Sequence, residues 1–249
     1  MGTVILSPHL DDAVLSCWHV LTQPGAASVI NVFAGVPGQL GEPAWWDAYT
    51  GATDSATRVR ERIEEDRRAL AVAGRTATYL GFLDEQYRDQ PQPLEPLVAE
   101  IERCLHPGAH IHAPAALTQH TDHALVRSAA LALRGAGFVV SLYADLPHAT
   151  AHGWPAWVTG STKPSTKDFA AAAWGHALTG AEALAPVVHE LDPESHARKL
   201  AALRMYATQL QALAAFAGRP LSDPALLGFE VEWATASPAQ ASHPSAFGL

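Results

Sequence analysis

At 249 residues, 48% of them apolar and only 16% charged, the chain can bury a sizeable core, which excludes a disordered or collagen-like protein. Sixteen Lys and Arg against 25 Asp and Glu give a net charge of −9, which repels phosphate backbones and anionic lipid, so neither nucleic acid nor a membrane surface is an expected partner. Two cysteines, Cys17 and Cys104, are too few for a disulfide framework or a four-thiolate zinc site.

In chain order, Thr3-Val-Ile-Leu6 is a short, partly β-branched run followed at once by turn chemistry in Ser7 to Asp12, and it reads as a buried strand entering a helix through a loop. Ser28 to Phe33 is a second strand, and the breaker-rich stretch Ala34 to Ala56 is expected to be an irregular loop carrying Trp45, Trp46 and Tyr49. Helical spacing over Thr57 to Ala73, stopped by Gly74, precedes a strand at Thr76 to Leu80. A helix at Pro96 to Leu105, a strand at Ala109 to Ala113, a helix at Asp122 to Arg134 and a strand at Phe138 to Tyr143 continue the alternation. Beyond Asp145 the pattern weakens: an irregular stretch over Pro147 to Lys167, one long helix from about Pro193 to Ala214, and an edge strand at Phe229 to Trp233. The alternation predicts an α/β, Rossmann-like fold, a mostly parallel sheet with helices on both faces that binds its ligand beyond the strand C-termini. One domain over 1–249 is expected, with a variable substrate loop at about 35–56 and a less regular part at about 146–249.

The chemistry concentrates on two loops. His9-x-x-Asp12 follows the first strand, and His120-x-x-His123 follows the strand at 109 to 113, so in a parallel sheet both open on the same edge. His9, Asp12 and one imidazole from His120 or His123 make a two-histidine, one-carboxylate set that suits zinc with an open water position. Taken singly, each motif has a plainer reading, a rim histidine or an Asp11-Asp12 helix cap. Their coincidence at two neighbouring strand ends is the specific signal.

Ser7-Pro-His-Leu-Asp-Asp-Ala-Val-Leu-Ser16 followed by His120-Thr-Asp-His123 resembles the PIG-L (LmbE-like) N-deacetylase superfamily, whose hallmark is Pro-His-x-Asp-Asp plus a later His-x-Asp-His. Arg62-x-x-Glu65-Asp66, Tyr79 to Asp84 leading to Tyr87-Arg88, and Lys199 to Gln209 extend the resemblance over about residues 3 to 210. It departs at Ala13, where many members carry Glu, and at Trp18-His19, where many carry Gly-Gly. The resemblance implies that His9, Asp12 and His123 bind Zn2+ or another divalent metal such as Fe2+, that Asp11 is the general base, and that a protonated His120 stabilises the oxyanion. Asp122 is either a helix N-cap or an acceptor that orients one of these imidazoles.

Arg62 is expected to touch substrate, on the strength of the resemblance. Trp45 and Trp46 either stack on a sugar or aglycone or simply pin their loop. Asp145, His148 and His152 could also line the site mouth. The expected function is metal-dependent removal of an N-acetyl or other N-acyl group from an amino sugar or sugar-bearing small molecule. The alternatives are another metal-dependent hydrolase on the same frame or a binding protein that has lost catalysis. Thirteen arginines against three lysines suggest a GC-rich bacterial source and, with the aromatic loop, lean towards secondary metabolism. No basic leader and no apolar run near the ~18 residues of a membrane span occur, so a cytoplasmic location is expected.

Overall fold

The computed structural model describes residues 2–38, 41–117, 120–150, 153–160, 174–175 and 178–236. Seven strands form one sheet: β1 (Thr3–Ser7), β2 (Ala27–Asn31), β3 (Ala77–Tyr79), β4 (His110–Pro114), β5 (Val139–Tyr143), β6 (Ala183–Glu190) and β7 (Phe229–Thr235). Their order is β3-β2-β1-β4-β5-β7-β6. β1 to β5 are mutually parallel, whereas β7 runs antiparallel to β5 and β6 antiparallel to β7. The apolar runs Val4 to Leu6 and Val29 to Ile30 are buried throughout, as are Ile111, His112 and Ala113 of β4, as a sheet covered on both sides requires.

The α-helices among the described residues are α1 (Asp12–Ser16), α2 (Trp18–Thr22), α3 (Trp45–Tyr49), α4 (Ser55–Val72), α5 (Leu94–Cys104), α6 (Thr121–Gly135), α7 (Ala156–Thr159), α8 (Pro193–Leu203), α9 (Leu210–Ala217) and α10 (Pro224–Leu227). α1 and α4 pack with α8, while α5 packs with α6, so two helix layers enclose the sheet. β1 connects onward to β2 on one side and lies against β4 on the other. The strand order therefore switches direction between β1 and β4, where a crevice opens at the strand C-termini. The loops carrying His9 and His120 leave from the two sides of that switch.

Three expectations are corrected. The stretch Ala34 to Ala56 is not wholly irregular: Trp45–Tyr49 forms a helical turn, and Ala48 N–H and Thr50 N–H close on Ala44 O and Trp46 O. The long helix at 193 to 214 is two helices broken over 204–209, because Gln209 turns to face Trp46 and Thr208 turns to face Glu65. The strand at 229 to 235 is an interior strand, since the segment Ala183–Glu190, unrecognised in the sequence, pairs outside it as the edge.

Candidate active site

The turn after β1 is locked by its own side chains. Ser7 Oγ donates to His9 O at 2.6 Å and accepts from Ala13 N–H at 3.0 Å, and His9 N–H donates to Asp12 Oδ2 at 2.9 Å. This closes the chain onto the start of α1 with both Asp11 and Asp12 buried. Asp11 is the N-cap residue of α1 but makes no side-chain capping bond, so its carboxylate stays available to the pocket.

Across the switch, His120 is the N-cap of α6 and its Nδ1 accepts from Asp122 N–H at 3.3 Å. Of the two readings offered for Asp122, the N-cap is thus excluded. Its carboxylate, fully buried, lies 3.1 Å from His9 Nε2, accepts from Glu85 N–H at 3.0 Å and pairs with Arg88. A loop contact brings Glu85 and Arg88 there: Gly35 N–H donates to Phe82 O at 2.9 Å, and a Cβ at Gly35 would lie 2.4 Å from Gly81 O, so only glycine permits the approach.

His9, Asp12 and His123 offer one ligand atom each within 4.8 Å of one another. Asp12 Oδ2 is 3.5 Å from His9 Nδ1 and 3.4 Å from His123 Nε2. These spacings approach the ~3.3 Å edge of a tetrahedron whose bonds are about 2.0–2.1 Å. His123 Nε2 is buried with no hydrogen-bond partner among the described residues, while its Nδ1 lies 3.1 Å from Asp145 Oδ2. Each imidazole thus gives its outer nitrogen to a buried carboxylate, Asp122 or Asp145, and turns the other towards a common point, the arrangement metal-ligating histidines adopt. Carboxylates outnumber guanidinium groups around the site: Asp11, Asp12, Asp84, Glu85, Asp122 and Asp145 stand against Arg62, Arg88 and, beside Asp145, Arg127. The excess of negative charge suits a dication.

The same field shifts the titrating groups. Burial opposes charge on His9 and His123, yet the carboxylates around them outweigh it and raise both. Burial would raise Asp12, but His123 and His9 hold it well below the usual carboxylate range. Asp11 is pushed up to about 6 by burial and the neighbouring Asp12, against the pull of Arg62. His120 is lowered by burial and by His9 and His123, opposite in direction to the protonated form expected of it. With Nδ1 accepting, its proton sits on Nε2.

A cavity of about 370 Å³ holds His9, Asp11, Asp12, His120 and Arg62, and its mouth is lined by Trp45, Trp46, His148 and Phe216. Arg62 Nε is buried without a partner among the described residues. The two tryptophans differ. Trp45 is 68% exposed, whereas Trp46 packs on the core and its Nε1–H donates to Gln209 Oε1 at 2.7 Å. His148 reaches the cavity, with its ring 5.2 Å from that of His123, but Asp145 sits buried behind His123, and His152 lies outside the described residues. Asp145 and Arg88 as partners of His123 and Asp122, and Asp84 and Glu85 beside them, were not foreseen. Asp84 and Arg88 lie in the stretch that extends the family resemblance, Asp145 was expected only at the site mouth, and their common placement after strands on one sheet edge was the remaining signal.

A profile of the PIG-L family, GlcNAc-PI de-N-acetylase, matches residues 4–133. The 2'-N-acetylparomamine deacetylase of Niallia circulans is 24% identical over 187 residues, 60% of this chain and 68% of that protein. The 2'-N-acetylparomamine deacetylase of Streptomyces fradiae is 30% identical over 167 residues, 59% of this chain and 57% of that protein. Among solved structures, the A40926 pseudoaglycone deacetylase Dbv21 matches with a TM-score of 0.70 at 26% identity, over 94% of this chain and 96% of its own.

Proposed function

Because the chain belongs to the PIG-L family of deacetylases, we propose that it removes an N-acetyl group from an amino sugar carried by a glycosylated small molecule, using a divalent metal, zinc by its donor set. The observation that carries this reading is the convergence of His9 Nδ1, Asp12 Oδ2 and His123 Nε2, with His9, Asp12 and the unengaged carboxylate of Asp11 lining one cavity and His123 buried behind its wall. The names of its relatives support the substrate class, since they act on N-acetylparomamine and on a pseudoaglycone. All five motif side chains stand in place, which weighs against a binding protein that has lost catalysis.

Held by His9, Asp12 and His123, the ion would supply a Lewis acid that polarises the amide carbonyl and makes water acidic enough to react at neutral pH. The remaining work belongs to the chain. Asp11, at about 6, is deprotonated at neutral pH and takes the proton of the attacking water on a carboxylate oxygen; it later returns that proton to the leaving amine. Arg62 keeps Asp11 ionised and turns its unpartnered Nε–H to the substrate. His120 donates Nε2–H to the carbonyl oxygen as charge develops there, a contribution worth about 10²- to 10³-fold in kcat for one such donor. A cavity of about 370 Å³ takes the acetamido sugar itself, leaving the rest of the molecule over Trp45 and Phe216.

The test is acetate release from a panel of N-acetylated amino sugars, aminoglycosides and glycopeptide pseudoaglycones, with the Asp11→Asn protein as control. Turnover that the control lacks supports the reading. No acetate from any of them by metal-loaded protein, or equal release by the control, overturns it.

A further inference from the structure

A second group of metal-ligating side chains lies outside the candidate active site, between α2, β4 and the antiparallel edge of the sheet. His19 is on α2, His112 on β4, His189 on β6 and Glu232 on β7. His189 Nε2 is 3.3 Å from Glu232 Oε1; His19 Nε2 and His112 Nδ1 are 3.6 and 3.1 Å from Glu232 Oε2. His19, His189 and Glu232 each offer a ligand atom within a 4.8 Å group. We propose that His19, His189 and Glu232 form a second divalent transition-metal site that clips α2 to the sheet edge.

Three observations carry the proposal. The first is the orphaned ligand atom. The His19 side chain is 8% exposed, and its Nε2 is buried with no hydrogen-bond partner among the described residues. Its Nδ1, in contrast, is fixed 2.6 Å from Glu230 Oε2. This repeats the construction at His123, where a buried carboxylate takes one ring nitrogen and leaves the other free to ligate.

The second observation is misalignment at short range. Glu232 Oε2 is itself buried without a hydrogen bond, although His112 and His19 stand at 3.1 and 3.6 Å. Atoms at these separations that do not point along a donor direction share the spacing of neighbouring ligands on one ion, ~3.3 Å for bonds of about 2.0–2.1 Å.

The third is charge. Glu230 is neutralised by Lys199, whose Nζ is 2.6 Å away, but Glu232 has no Lys or Arg partner among the described residues and faces imidazoles alone. A two-imidazole, one-carboxylate set prefers zinc, cobalt, nickel or copper to magnesium or calcium. The rings of His19 and His189 stack 3.7 Å apart at 15°, which sends their lone pairs side by side. Loading the site tilts the His189 ring, whose side chain is 26% exposed and gives the ion its entry.

The site is tested on full-length protein stripped with chelator, titrated with Co2+ and counted for bound metal after desalting. The expected stoichiometry is about two equivalents for the wild type, about one for His189→Ala and for Glu232→Gln, and about one for His123→Ala, which empties only the candidate active site. The His123→Ala, His189→Ala double variant retains none. His189→Ala is expected to keep deacetylase turnover within about twofold of wild type, because it lies outside the catalytic cavity. Two equivalents in folded His189→Ala and Glu232→Gln, or a single wild-type equivalent that His123→Ala abolishes, overturns the proposal without touching the deacetylase reading. His189 is on the exposed edge, so its variant stays folded even where Glu232→Gln does not, and a thermal melt checks both.

Discussion

His123 Nδ1 stands 3.1 Å from Asp145 Oδ2, with both side chains wholly buried, so one carboxylate fixes which nitrogen of the imidazole faces Asp12. The same carboxylate accepts from Leu117 N–H through Oδ1 at 3.1 Å, which holds its plane. In Asp145→Asn the amide can keep one of these contacts but not both in their present sense. We expect metal affinity to fall about 10- to 100-fold with the fold retained, read by competition with a chromophoric chelator. Affinity equal to wild type would show that Asp145 does not orient the ligand.

Asp11 and Asp12 are adjacent in sequence and opposite in behaviour. Asp12→Asn should lose the metal and all activity together, because its carboxylate lies between His9 and His123. Asp11→Asn should keep the metal, bind substrate nearly normally and lose about 10²- to 10⁴-fold in kcat. The wild-type kcat/KM should fall on the acid side with an apparent pKa no higher than the value of about 6 at Asp11, since a bound dication can only lower a neighbouring carboxyl. An acid limb above 7, or a turnover of Asp11→Asn equal to wild type, refutes the assignment.

Trp45 and Trp46 separate in the same way. Trp45→Ala removes an exposed ring at the cavity mouth and should raise KM several-fold with kcat almost unchanged, the mark of lost uniform binding. Trp46→Ala also breaks the bond to Gln209 and a core contact, so it should cost about 2–4 kcal/mol of stability in addition. Kinetics paired with thermal melts distinguish the two; equal melting temperatures would mean that Trp46 is no anchor.

Lys199 and Glu230 form an ion pair 2.6 Å apart with neither side chain exposed. Burial raises Glu230, but Lys199 and His19 outweigh it and hold it at about 2, below its ordinary value of 4.5. A depressed carboxylate contributes stability above its unfolded pKa, so this contribution is complete above about pH 4.5 and is lost as pH falls towards 2. Glu230→Gln leaves the Lys199 charge buried and unpaired and should cost about 3–5 kcal/mol at pH 7. Urea melts of both proteins from pH 7 to pH 3 should converge as the wild type loses its advantage. A constant gap would disprove the linkage.

The sequence alone determined the alternating parallel core and the two ligand motifs, because both are written in short-range patterns. Val4 to Leu6 and Val29 to Ile30 declare buried strands by continuous apolar character, and parallel strands present successive loops to one edge. His9 with Asp12 and His120 with His123 could therefore be brought to one side of a sheet from spacing and strand position. Tertiary structure decided everything that depends on which residues meet across long separations. Asp122 became the partner of His9 rather than a cap because Arg88 and Glu85 N–H, carried in by the close approach at Gly35 and Gly81, reach its carboxylate. The charge on His120 is disfavoured because burial and two other imidazoles crowd a ring whose Nδ1 caps α6. The edge strand Ala183–Glu190 and the break at 204–209 escaped for the same reason. An exposed edge strand carries little apolar pattern of its own, and Gln209 leaves the helical course to meet Trp46, a residue 163 positions earlier. Local periodicity is a property of a segment, whereas the proton on a ring nitrogen, the charge on a buried carboxylate and the end of a helix are set by neighbours that only the folded chain supplies.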